Sequence, residues 1–168
     1  MLAPLAGLLA LSEPRTVREW AWLVVAVGAS GVWLAQQGSQ TAQVVRAAAV
    51  LLAGAYIALT IWQPAPGWRR SVLTVLIAGA ALNILMERAG IAWSGLQPQV
   101  AHQVRAIAQL APAGYGARVV ASADRLAAFF PAFLAVIGGA GTRLAWTWHC
   151  RLAERPIGER FCSGEFNS

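Results

Sequence analysis

Charge is scarce in this 168-residue chain. Asp, Glu, Lys and Arg together make up 12% of it, against about 25% in ordinary soluble domains. Lysine is missing altogether. With 58% hydrophobic residues, the polar groups are too few to cover a water-facing surface, which argues for a membrane protein. Cysteine is nearly absent as well. Two cysteines without a CxxC pair supply neither a disulfide framework nor zinc spacing. Catalytic signatures are also lacking. No GxSxG, HExxH or P-loop occurs, nor any paired carboxylates within an apolar run, so no enzyme activity, no ATPase of its own and no cofactor is expected. MLAPLAGLLALS, Met1 to Ser12, has no basic n-region and no A-x-A site. It reads as half of a membrane helix or an interfacial segment, not as a signal peptide.

Four apolar runs are present, and eight tryptophans, several of them at the ends of those runs as an interfacial belt requires. The runs are Trp20 to Leu34, Ala47 to Trp62, Ser71 to Met86 and Leu126 to Cys150. The first three hold 15 or 16 residues, so each reaches only roughly 24 Å as a helix. A hydrocarbon core is about 30 Å thick, so flanking residues must extend these helices or the bilayer must thin. The expected fold is all-α, a polytopic transmembrane bundle of about four spans, with an N-terminal half-span and an interfacial amphipathic helix.

The net charge of +6 comes from arginines placed singly or in pairs between apolar runs. That placement suits anchors to lipid headgroups, and no nucleic-acid partner is expected. Arg15 and Arg18 precede the first run, Arg69 and Arg70 the third, and Arg151, Arg155 and Arg160 follow the fourth. QQGSQTAQVVR, between the first two, carries only Arg46. With four spans the positive-inside rule then puts both ends and the second loop in the cytoplasm, with Glu87 to Arg125 outside. Within that connection, Val100, Val104, Ile107 and Ala111 share one helical face, while His102, Arg105 and Gln109 share another. PAGYG, Pro112 to Gly116, should break this helix, and Pro131 should bend the last span.

Three groups of residues invite a chemical reading. His149 and Cys150 are adjacent and so point about 100° apart on a helix. With Cys162 far downstream and no further ligand nearby, they mark a helix leaving the membrane at the level of Trp146 and Trp148, and no metal site. Asn83 and Glu87, four apart on the third run, lie close in sequence to Arg88 and Trp93. Tyr56 and Thr60 form a similar pair on the second run. These residues, Asn83, Glu87, Arg88, Trp93 and Tyr56, are the candidate ligand-binding set. The structural alternative is a helix end with a local Glu–Arg pair and an interhelical amide bond. Gly28, Gly31, Gly54, Gly79 and Gly138, Gly139 and Gly141, with Ala49 and Ala53, would permit close helix packing or docking of a partner's helix.

LAAFFPAFLAVIGGAGTRLAWTWHCRLAERPIGERF, Leu126 to Phe161, opens on an aromatic–Pro step and ends in a short basic tail with Arg155, Pro156 and Gly158. Upstream stand PLAGLLALSEPRTVREW and an RAAAVLLAGAY span. In this order of elements the chain resembles the YybS-like family of bacterial multi-pass membrane proteins. That family is similar in architecture to the S components of energy-coupling-factor transporters. The resemblance implies a helical bundle in a bacterial inner membrane holding a small molecule near its outer face, with the lipid bilayer and an ATPase and scaffold module as partners. The alternative is a non-transporting membrane scaffold. Family members continue with further hydrophobic segments, whereas this chain stops at FNS after a charged tail. Residues 1–168 read as a single integral membrane domain, and that departure leaves open a fragment of a longer protein.

Overall fold

The computed structural model describes residues 2–12, 14, 16–62, 67–110 and 115–152, and every regular element in them is helical. Met1, Glu13, Arg15, four residues of the turn QPAPG, residues 111–114 and the tail from residue 153 lie outside the described residues. The expectations placed on Ala111, Arg155, Arg160 and Cys162 therefore lie outside them too. The helices are α1 (Leu2–Leu11), α2 (Val17–Ala35), α3 (Gln40–Trp62), α4 (Gly67–Arg88), α5 (Trp93–Ala108), α6 (Tyr115–Ala128) and α7 (Phe130–Leu152).

Flanking polar residues extend the short apolar cores. Helices α2, α3 and α4 reach 19, 23 and 22 residues, roughly 29–35 Å. Each contains a segment long and apolar enough to cross a membrane. Sequence-local chemistry starts α2. Thr16 Oγ1 accepts from Glu19 N at 3.2 Å while Thr16 N donates to Glu19 Oε2 at 3.1 Å, a capping box that satisfies two end groups.

The fourth apolar run is not one helix. Leu126 belongs to α6, and α6 meets α7 at a bend of 84° around Phe129, so a fourth span counts only if this bent pair is taken together. Pro131 is the second residue of α7. It has no N–H to lose a partner there and its fixed φ suits a first turn, so it starts a helix where the sequence suggested a kink within one. Helix α6 was unforeseen. It packs on α5 as a hairpin, with Ala123 and Ala127 buried and Arg105 Nη2 2.6 Å from Asp124 Oδ1 across the pair. In α5 the buried face runs through Leu96, Val100 and Ala108, while Ile107 is 69% exposed, contrary to the face expected of it.

The turn from α4 to α5 depends on one glycine. Gly90 has φ +68°, Ile91 N donates to Met86 O at 2.8 Å and Gly90 N to Glu87 O at 3.1 Å. Those paired bonds close the helix C-terminus in a left-handed cap that a side chain resists.

The half-span α1 is buried rather than interfacial. It packs on α2, α3 and α7. Leu5 and Leu9 join Ala145 and Leu152 of α7 with Trp22 and Leu23 of α2, and Leu8 meets Tyr56 and Trp146. A Cβ on Gly7 would run into Ile57 of α3, so this glycine sets how closely the two helices approach. A second core, under the α5–α6 hairpin, joins Val44 and Ala48 of α3 to Leu82 and Met86 of α4 and Leu96 of α5. Outside, Val24, Val32, Leu76, Ile84, Val136 and Ile137 are all more than half exposed. An exterior this apolar suits hydrocarbon better than water.

Gly90→Val should lower stability by about 1–2 kcal/mol through left-handed backbone strain, with Gly90→Asn costing less. Thermal unfolding of the two variants in the same lipid nanodisc checks this ranking.

Candidate functional site

The candidate residues divide between the two ends of the bundle. At the end that carries α5 and α6, Trp93 Nε1 donates to Asn83 Oδ1 at 2.7 Å, joining α4 to α5. Trp93 also meets Phe130 edge-on, with ring centroids 6.3 Å apart. Asn83 and Trp93 border a cavity of about 140 Å³ whose other lining is apolar apart from backbone, including Leu52, Val75 and Leu134. Glu87 and Arg88 are exposed and do not line it. No ion pair joins these two among the described residues; neighbours at i, i+1 point away from each other on a helix.

Tyr56 lies at the opposite end. It is fully buried against Leu8 and Trp146, and the Arg70 guanidinium carbon lies 5.9 Å from its ring centroid. Arg70 is on α4 with Asn83, thirteen positions earlier, which separates Tyr56 from Asn83 by roughly 20 Å along the helix axis. Tyr56 therefore belongs to a different constellation from the other four.

That constellation was not foreseen from the sequence. Arg70 is 4% exposed, Glu19 6% and His149 1%. They come from α4, α2 and α7. The Arg70 guanidinium carbon sits 4.5 Å from the Trp146 ring centroid, a close cation–π contact. Trp146 also stacks obliquely on His149 at 6.0 Å, and Glu19 interacts electrostatically with His149. His149 Nδ1 is buried and has no hydrogen-bond partner among the described residues. Nearby hydroxyls turn inward: Thr60 Oγ1 donates to Tyr56 O at 2.7 Å, Thr74 Oγ1 to Arg70 O at 2.8 Å, and Thr142 Oγ1 lies 3.3 Å from Ser71 Oγ.

In the last helix, Trp146 and His149 are core residues at a junction of helices. Trp148 does lie nearer the surface, edge-on to Trp22 at 5.5 Å. Cys150 is disulfide-bonded, against expectation. Disulfide pairing depends on distance in space rather than on spacing along the chain. Among the described residues, no group of three His, Cys, Asp or Glu side chains is placed to hold a metal ion.

A larger cavity, about 440 Å³, lies between α1, α2, α3 and α7. Leu2 and Pro4 form its floor. Ser30 and Trp33 of α2 face Ala49 of α3 and Gly138 of α7 across it. Ala48, Leu52 and Leu134 border both cavities and so form the partition between them. Gly138 makes that partition possible, because a Cβ there would lie 2.5 Å from Leu52 Cδ1. The other glycines behave differently: at Gly28, Gly31, Gly54 and Gly79 a Cβ would meet nothing within 4 Å. They do not mediate packing within this chain.

No protein-family model, curated protein or solved structure matches the chain.

Trp146→Leu removes the ring beneath Arg70 and should destabilise the bundle by about 2 kcal/mol or more, the scale of a desolvated cation–π contact. Trp146→Phe keeps a ring and should lose less. Unfolding temperatures of both, compared with wild type in one lipid environment, give the measurement.

Proposed function

We propose that the protein is a membrane-embedded binding subunit that holds a small, largely apolar molecule in the cavity between α1, α2, α3 and α7. The observation that carries this reading is the cavity itself. Its volume of about 440 Å³ falls within the roughly 300–1,000 Å³ of small-molecule sites. It is bounded by helices whose exteriors suit a bilayer. The resemblance of Leu126 to Phe161 to the YybS-like family supports transport as the context, with a separate ATPase and scaffold module supplying the energy. In the orientation favoured by the arginines, α1 fills the cytoplasmic half of the bundle and the cavity lies in the outer half of an inner-membrane protein. A ligand arriving from outside would enter above α1. Asn83 and Trp93 contribute through the neighbouring cavity, with Leu52 in the partition between the two.

A scaffold that docks partner helices is the second reading. Gly28 and Gly31 of α2, with open space over both, favour it, because a small-residue face turned outward can receive another helix.

Filling the cavity separates the two readings. Wild-type protein drawn from native membranes into nanodiscs should carry one small molecule per chain by native mass spectrometry. Ala49→Trp and Ser30→Phe, both on the cavity wall, should lose it with helical content unchanged. A wild-type chain without any bound small molecule would overturn the binding reading. Loss of a co-purifying membrane protein on Gly28→Leu, with no ligand in wild type, would establish the scaffold.

A further inference from the structure

The lining of the larger cavity and its immediate surroundings differ in chemistry, and the difference specifies a ligand class. The walls are aliphatic apart from Ser30, Thr142 and the Trp33 indole. The Thr142 hydroxyl is already engaged with Gly139 O at 2.8 Å. A polar ligand core would find almost no partners there and would lose its hydration without replacement. Hydrocarbon loses nothing.

Beside this lining, and not itself part of it, stands Arg46. It is next to Val45 and one turn from Ala49, both of which line the cavity. Its guanidinium carbon lies 6.0 Å from the ring centroid of Trp33, which also lines the cavity. Arg46 Nη1 donates to Gln36 O, which orients the guanidinium. Its Nε is buried without a hydrogen-bond partner among the described residues. No described carboxylate pairs with it, and no acidic residue occurs in the sequence between Glu19 and Glu87. A cation flanking an apolar run at the membrane interface favours an anionic partner, and the described residues of α2, α3 and α4 offer none near it. An anionic head group is the missing counter-ion, and a guanidinium grips a carboxylate or phosphate through paired donors.

We propose that the cavity takes an anionic amphiphile, with one alkyl chain between α1, α2, α3 and α7 and its carboxylate or phosphate on Arg46. The proposal rests on the binding role given above and names the ligand class for it. Such an amphiphile comes from two sources, a free fatty acid or an anionic phospholipid that inserts one of its chains.

The test uses the full chain in phosphatidylcholine nanodiscs doped with palmitate, with hexadecanol or with phosphatidylglycerol, followed by native mass spectrometry of the released protein. Wild type should retain one palmitate or one phosphatidylglycerol per chain, and retain hexadecanol about tenfold less well, the loss of one charge-assisted contact. Arg46→Gln should erase that preference for the anion, and Arg46→Lys, which keeps the charge, should restore most of it. Retention of palmitate alone identifies a free fatty acid as the source, and of phosphatidylglycerol alone a membrane lipid; either supports the site. Equal retention of hexadecanol and palmitate, unchanged by Arg46→Gln, would overturn the anionic head while leaving an apolar-binding cavity intact. Undiminished retention of palmitate by Ala49→Trp would place the ligand elsewhere and overturn both readings.

Discussion

The burial of α1 among α2, α3 and α7 governs much of the architecture. Ten residues make a helix of roughly 15 Å, about half the length of the helices it packs against. Within that half the helix is apolar on nearly every side and buried accordingly, as a helix without a polar face must be. It contacts α2 as well as α3 and α7, and Leu2 and Pro4 at its start line the cavity between these four helices.

The two ends of the bundle treat charge in opposite ways. Where α1 packs, Arg70, Glu19 and His149 are enclosed among Tyr56, Trp146 and inward-turned hydroxyls. Burying ionic groups is tolerable only when neighbours compensate them, and here aromatic faces and opposite charge share that task. At the other end, Glu87, Arg88 and Asp124 remain exposed, and the α5–α6 hairpin is fastened by an ion pair of small worth at a surface. One end is therefore a buried junction of five helices, while the other is more open and carries the small Asn83–Trp93 cavity on its inner side. This asymmetry agrees with a ligand that enters from one face only.

The placement of the long helices was legible in the chain because apolar runs framed by tryptophan and arginine are a one-dimensional signal. The hairpin was half legible. In α5 the expected face contained Val100 correctly, but Ala108 is buried in place of its neighbour Ile107, since a single residue of phase moves a position by about 100° around a helix. Helix α6 was missed because its buried positions, Ala123 and Ala127, are small and hardly raise the local hydropathy. Of the candidate site, Asn83 with Trp93 could be reached by short spacing across one turn. Tyr56 could not be placed, because its partners Arg70 and Trp146 lie on other helices and only packing brings them together.

Composition and the order of apolar runs alone determined helices throughout the described residues, with three to four segments long and apolar enough to cross a membrane. These properties depend on local hydropathy, which each segment carries by itself. Tertiary structure decided that α1 is buried, that the last apolar run breaks at Phe129, that Arg70 sits beneath Trp146, and that Arg46 stands beside Trp33 of the cavity wall. Each of these is a meeting of residues far apart in the chain, set by how helices of unequal length share one core.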